Sequence, residues 1–243
     1  MSTGFQQSDI VILVTGLVGA GKSTFINTYL EELGKPECMK VGDPGSLKTC
    51  TTQIKYEIVN PSSRHNNRLV IVDTPGFNDE NKSDLDVLQE IASWVQRSFP
   101  RGACRGGIIY LHDVSNDQHR SMDKISIAVL KKSFVNTEGV YRRIVLINTK
   151  WSKVESQQRA NRKTKIDSHW KQLTNRVSKH YDSDDIASGA KGIVEDFWKT
   201  LESGGALEFE NELKFILNYQ EKRRTFKIWS WARGLLGKLL GST

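Results

Sequence analysis

Cysteine is scarce in this sequence, with Cys38, Cys50 and Cys104 the only three in 243 residues. An odd number spaced so widely supports neither a disulfide framework nor a zinc site, and it points to a reducing compartment such as the cytosol. Long apolar runs are missing too. The longest, residues 10–20, is interrupted by Thr15, Gly16 and Gly19, far short of the roughly 20 residues of a membrane-spanning helix. A spanning protein is therefore excluded. No Lys or Arg precedes that run and no small-residue cleavage pattern follows it, so no secretory signal is expected. Internal repeats and low-complexity linkers are absent as well.

What is present is ordinary globular composition, 37% hydrophobic and 26% charged, in a chain long enough to bury a substantial core. Lys and Arg number 35 against 28 Asp and Glu, a net charge of +7. The excess is uneven, at +2 over residues 1–150 and +5 over residues 151–243. A basic surface suggests nucleic acid, yet no zinc-finger spacing, RNA-recognition signature or helix-turn-helix pattern accompanies it. Nucleic acid is the weaker reading, because charge runs are commonly solvated helix faces.

Periodicity places β-rich apolar runs at residues 10–14, 54–59, 69–72, 107–111 and 144–147. Helix-like spacing falls at residues 24–33, 85–99, 122–134, within 156–180, at 190–201 and within 209–240. Buried strands alternating with helices predict an α/β fold with three layers, helices covering both faces of a mostly parallel sheet. The Gly-rich stretch Ser203 to Ala206 marks the boundary between a body over residues 8–202 and a helical tail over 206–243.

The first apolar run leads into Gly16-Leu17-Val18-Gly19-Ala20-Gly21-Lys22-Ser23-Thr24. This fits G-x-x-x-x-G-K-[ST], a phosphate-binding loop between a strand and a helix. Its glycines let the backbone N–H groups of residues 18–24 close on phosphate oxygens, and the helix N-terminus adds a positive dipole end. Lys22 would reach the β- and γ-phosphates, and the Ser23 hydroxyl would be a Mg²⁺ ligand. The 69–72 run delivers Asp73-Thr74-Pro75-Gly76-Phe77. Asp73 then falls near Ser23 on the magnesium side, and the Gly76 N–H can meet a γ-phosphate.

These stretches, together with Leu47-Lys48-Thr49-Cys50-Thr51, Gly107-Ile108-Ile109-Tyr110-Leu111-His112 and Thr149-Lys150-Trp151, resemble the septin-like branch of P-loop GTPases. The likeness is to the immunity-associated (GIMAP-like) and chloroplast import receptor (Toc-type) families, and most of all to related fungal G-domain proteins. It implies a G domain over residues 8–202 that takes Mg²⁺ with GTP or GDP. It also implies Thr51 as the first-switch threonine, binding Mg²⁺ and sensing the γ-phosphate, with Thr49 and Thr52 as competitors. The run 49–52 also suits the polar lead into a strand. Lys22, Thr51 and Gly76 are thereby the catalytic candidates. Phe77 stands where many GTPases carry the glutamine that orients the attacking water, so slow hydrolysis is implied, with any catalytic polar group coming from elsewhere. Arg64, Arg101 and His112 are unranked candidates, and His112 reads more readily as a strand-end structural residue. Pairing of two copies through the nucleotide face is also implied by the resemblance.

The base-reading segment departs from the GTPase pattern. Asn148-Thr149-Lys150-Trp151-Ser152 stands where relatives have [NT]-K-x-D, so Ser152 replaces the carboxylate that accepts guanine N–H groups. Losing such a charge-assisted contact lowers guanine preference by roughly tens to hundreds of fold, which opens ATP or unselective nucleotide binding as an alternative. Lys150 can lay its stem over the base, and Trp151 either stacks there or packs under the loop. Ser188-Gly189-Ala190-Lys191 is a weaker candidate for the last base-contacting loop, through Gly189 and Ala190.

The tail carries Lys222-Arg223-Arg224 and then an apolar stripe from Ile228 to Leu240 flanked by Lys227, Arg233 and Lys238. On a helix this is an interfacial amphipathic pattern. It suits either an anionic membrane surface through residues 222–240 or docking on its own G domain or a second copy. The expectation is a cytoplasmic nucleotide switch, peripheral on a membrane if the tail inserts. Its rival is a nucleotide-gated scaffold with little hydrolysis.

Overall fold

Five strands and a short edge ribbon form one six-stranded sheet in the order β2-β3-β1-β4-β5-β6. The elements are β1 (Ile10–Gly16), α1 (Lys22–Glu31), β2 (Lys55–Val59), β3 (Leu69–Asp73), α2 (Asp84–Ser98), β4 (Arg105–Asp113), β5 (Ile144–Thr149), α3 (Ser156–Thr174), β6 (Lys179–Asp182) and α4 (Ala190–Ser203). A single 3₁₀ turn, Trp151–Lys153, links β5 to α3. This computed structural model describes residues 4–36, 38–39, 41, 53–99, 105–115, 143–174, 179–184 and 189–204. The expected helix at 122–134, the switch stretch at 47–52 with Thr49, Thr51 and Thr52, and the tail at 206–243 lie outside the described residues.

All neighbours pair in parallel except β2 with β3, which run antiparallel. The central strands are buried along their whole length, as in a sheet covered on both faces. Because successive side chains alternate faces, Val11, Leu13, Val70 and Val72 meet Val87, Ile91 and Val95 of α2 and Ile166 of α3. Ile10, Ile12, Val14 and Ile71 meet Phe25 and Ile26 of α1 and Val194 and Phe197 of α4. The expected three-layer α/β architecture is what the chain adopts. Among the described residues, no helix is long and apolar enough to cross a membrane.

Local signals explain the helix starts. Ser83 caps α2 with its hydroxyl accepting from Asp86 N at 3.2 Å, while Ser83 N donates to Asp86 Oδ2 at 3.3 Å. That reciprocal pair satisfies two end donors. β6 was not expected as a strand. Its sequence, Lys-His-Tyr-Asp, has no apolar run and only its middle residues are partly buried. Its register against β5, Val145 with Lys179 to Asn148 with Asp182, comes from tertiary pairing.

The sheet's opposite end is fastened by His65, stacked on Trp198 with ring centroids 3.7 Å apart. Its ring nitrogens face Glu195 at 2.8 Å and Glu202 at 3.2 Å. Glu202 also accepts from Asn66 N at 2.8 Å and Asn67 N at 2.9 Å, so the β2–β3 turn is tied to α4. Arg64 belongs to this turn and its carbonyl accepts from Lys199 at 3.1 Å. It enters β3 from the end opposite Asp73, which removes it from the catalytic candidates.

Candidate functional site

The carboxyl ends of β1, β3, β4 and β5 meet at one edge of the sheet, and residues 18–24, Asp73, Gly76, Thr149, Lys150 and Trp151 sit there or in the turns that follow. β1 ends at Gly16 and α1 begins at Lys22, with residues 17–21 forming the turn. Gly21 caps α1 at φ 93°, a left-handed conformation that suits glycine. Val18, Gly19, Ala20, Lys22, Ser23 and Thr24 thereby take the places the loop motif assigns them, from the turn into the first helical residues.

The Lys22 ammonium folds back over its own loop, 3.0 Å from Leu17 O and 3.4 Å from Gly16 O. Burial holds its pKa down at about 8, against the attraction of Asp73, with Lys150 depressing it further. The Ser23 hydroxyl donates to Asp73 Oδ2 at 2.7 Å, across 50 residues of sequence. Two hard oxygen donors so close, one of them a fully buried carboxylate, fit Mg²⁺, which prefers carboxylate, hydroxyl and phosphate oxygens. Ser23 and Asp73 would hold it from the protein side. Thr51, the third expected ligand, lies outside the described residues.

The turn after β3 is clamped to the phosphate loop. Phe77 N donates to Gly16 O at 3.1 Å, and Val18 N donates to Phe77 O at 2.9 Å, a one-pair parallel bridge between Leu17 and Phe77. The Phe77 ring is 1% exposed and packs in the core under α2. At Gly76 the backbones nearly touch, since a Cβ there would lie 2.7 Å from both Val18 N and Val18 Cγ2. Thr74 Oγ1 donates to Val14 O at 2.9 Å and fixes the start of the turn. Spacing alone did not reveal that Val18 seats Gly76.

On the base side, Thr149 Oγ1 lies 3.3 Å from both the Ala20 and His112 carbonyl oxygens, joining the β5 end to the phosphate loop. Lys150 adopts φ 65°, and its ammonium donates to Gly19 O and to Asp113 Oδ2, the latter at 2.7 Å. Trp151 is 6% exposed and packs with Val154 and Ile166. Its indole sits beneath the loop and offers no face to a base. Ser152 N donates to Asp184 O at 3.3 Å, and Ser183 N donates to Asn148 O at 2.9 Å. The residues following β6 therefore abut the base loop directly. Gly189 caps α4, where Ala190 is buried against α1 and Lys191 reaches Glu32 O at 3.2 Å.

Asp113, Ser183 and Asp184 were missed in the sequence. Asp113 lay two residues beyond the expected strand, which in fact continues to place Asp113 opposite Thr149. That pairing is a property of the fold, with no local signal in the sequence. His112, within β4, is buried and lends its carbonyl to Thr149, in keeping with a structural role. Arg101 lies outside the described residues.

Solved structures similar to this chain include GTP-binding proteins, at low identity. A bacterial selenocysteine-specific elongation factor is 17% identical, with a TM-score of 0.47, covering 81% of this chain and 29% of its own. This chain thus spans less than a third of that factor. A putative nucleolar GTP-binding protein 1 from Plasmodium falciparum is 16% identical, with a TM-score of 0.47, and covers 92% of this chain and 98% of its own. The Arl6 BBS3 small GTPase from Trypanosoma brucei is 12% identical, with a TM-score of 0.48, and covers 81% and 99% respectively. No curated protein matches the sequence. Residues 11–169, more than half of the chain, match the family described as 50S ribosome-binding GTPase, and with its phosphate loop, Ser23–Asp73 pair and Lys150 base loop in place the chain belongs to that GTPase family.

Proposed function

We propose that the chain is a nucleotide switch that binds GTP and GDP with Mg²⁺ and hydrolyses GTP slowly. The carrying observation is Phe77. It holds the sequence position where many GTPases carry a water-orienting glutamine, and its ring is buried in the core, so that position offers no polar side chain to the attacking water and phosphoryl charge is left to Lys22 and the loop amides. Bound Mg²⁺ would supply neutralisation of the phosphate charge. Lys22 and the amides of residues 18–24 bind the phosphates, Ser23 and Asp73 orient the metal side, and Gly76 and Thr51 report the γ-phosphate. Single-turnover hydrolysis with Mg²⁺ tests this reading. A rate on the order of intrinsic small-GTPase turnover or below, roughly 10⁻⁴ per second, is expected, and a rate of several per second without a partner would refute it.

A second reading, unselective purine nucleotide binding, is favoured by Ser152 and by the burial of Trp151, which removes stacking as compensation. Parallel titrations with fluorescent GTP and ATP analogues separate the two, because comparable affinities would sink guanine preference. Pairing through the nucleotide face is supported by the family resemblance, and light scattering with a non-hydrolysable GTP analogue tests it. Peripheral membrane attachment is supported by the tail's apolar stripe and basic flanks. Flotation of the chain with and without residues 222–243 on anionic vesicles tests that, and equal flotation would leave protein docking as the tail's role.

A further inference from the structure

The lysine of the base loop is held by an anionic partner that no motif assigns. Asp113, the last residue of β4, is registered opposite Thr149, the last residue of β5. Val114 N donates to Thr149 O at 3.1 Å, continuing the pairing past both strands. Ser115 orients the carboxylate from the other side, with its N 2.9 Å and its Oγ 2.6 Å from Asp113 Oδ1. That leaves Oδ2 for the Lys150 ammonium at 2.7 Å. The two side chains are 13% and 19% exposed, too enclosed for water to replace either partner cheaply. Burial alone would push the Asp113 carboxyl up, but the bonds from Lys150 and Ser115 hold it below its ordinary value.

We propose that Asp113 is a positioning residue for the nucleotide base: it pins the Lys150 ammonium between β4 and the phosphate loop at Gly19, so that the lysine stem is held as the floor on which the purine lies. This rests on the reading that the chain binds a purine nucleotide. Three consequences follow from the geometry. The Lys150 charge is spent on Asp113 and Gly19 O and is withheld from the phosphates. The left-handed backbone at Lys150, sparsely populated for a residue with a side chain, is paid back by that double anchor. With Ser152 in place of a base-reading carboxylate, a larger share of base affinity falls on this platform, and the platform does not distinguish guanine from adenine.

The test is a double-mutant cycle on the full chain, read with fluorescent GDP and ADP. Asp113→Ala is expected to weaken both nucleotides by the same factor, roughly tenfold to a hundredfold for a buried charge-assisted bond, mainly through faster dissociation. Asp113→Asn, which keeps one oxygen acceptor, is expected to recover part of that loss. In a Lys150→Ala background the Asp113→Ala change should add less than about twofold, because the two act as a unit. If Asp113→Ala fails to fold, Asp113→Asn and Ser115→Ala carry the same cycle with smaller losses. Full additivity with Lys150→Ala, or wild-type affinity in Asp113→Ala, overturns the proposal. Wild-type protein that binds neither nucleotide would instead overturn the nucleotide reading itself.

Discussion

The phosphate half and the base half of this site are built by different means. On the phosphate side, nine consecutive residues supply backbone amides, a lysine and a hydroxyl, and one distant carboxylate joins them at 2.7 Å. On the base side, Lys150, Asp113, Ser152 and Asp184 come from the ends of three different strands and meet only through tertiary pairing. A phosphate group is recognised by main-chain geometry that few substitutions preserve. A base is recognised by side chains, and these can be exchanged while the fold stands. That asymmetry explains how the chain can keep a complete phosphate loop and yet lose the base-reading carboxylate.

The largest effect should come from breaking the phosphate half. Lys22→Met removes the ammonium buried against Gly16 O and Leu17 O of the loop, and affinity for GDP, GTP and ATP should fall together by about a hundredfold or more, given the strength of charge-assisted bonds to phosphate. Equilibrium titration checks it, and a loss confined to guanine nucleotides would deny the division between halves. Next is Phe77→Gln, which restores the polar group other GTPases use. Because the ring is a buried part of the α2 core, the variant should lose about 3 kcal/mol of stability and gain no hydrolysis. Denaturant unfolding and single-turnover assays check both, and a large rate gain would show that the ring alone blocks chemistry. On the base half, Ser152→Asp should sharpen the contrast by raising GTP over ATP preference roughly tenfold or more. An unchanged ratio would mean that Asp184 or the nearby backbone already reads the base.

The legibility of the sequence follows the same division. The alternation of apolar strands and amphipathic helices was readable because each of β1, β3, β4 and β5 is buried on both faces and so writes a continuous apolar run. The phosphate loop was readable because its function resides in adjacent residues. β6 was not, since four polar residues at a sheet edge carry no period of their own. Trp151 was ambiguous for a related reason: an indole after a strand suits a core or a ligand face equally, and only the packing with Val154 and Ile166 decides. Asp113 escaped because its partner lies 37 residues away, and the clamp of Val18 on Gly76 escaped because close backbone approach leaves its mark only as a glycine.

Within the phosphate half, the effect most specific to Lys22 is a pH dependence that leaves affinity unaltered at neutral pH. In the free protein its pKa is about 8, lowered chiefly by burial, whereas a bound polyphosphate favours the ammonium and raises it. Below pH 8 the free lysine already carries its proton, so affinity should be flat as pH changes. Above pH 8 binding must take up a proton, and affinity should fall by up to about tenfold per pH unit until the pKa of the complex is reached. Folding responds in the opposite sense. The unfolded lysine keeps its ordinary value of 10.5, so between pH 8 and 10.5 the unfolded state holds more protons and this group's contribution to stability rises with pH. Lys22→Met should abolish both trends at once, leaving the rest of the protein's pH response in place. Nucleotide titrations and thermal unfolding at pH 7, 8, 9 and 10 measure the pair, and a decline in affinity that survives in Lys22→Met would assign the proton to another group.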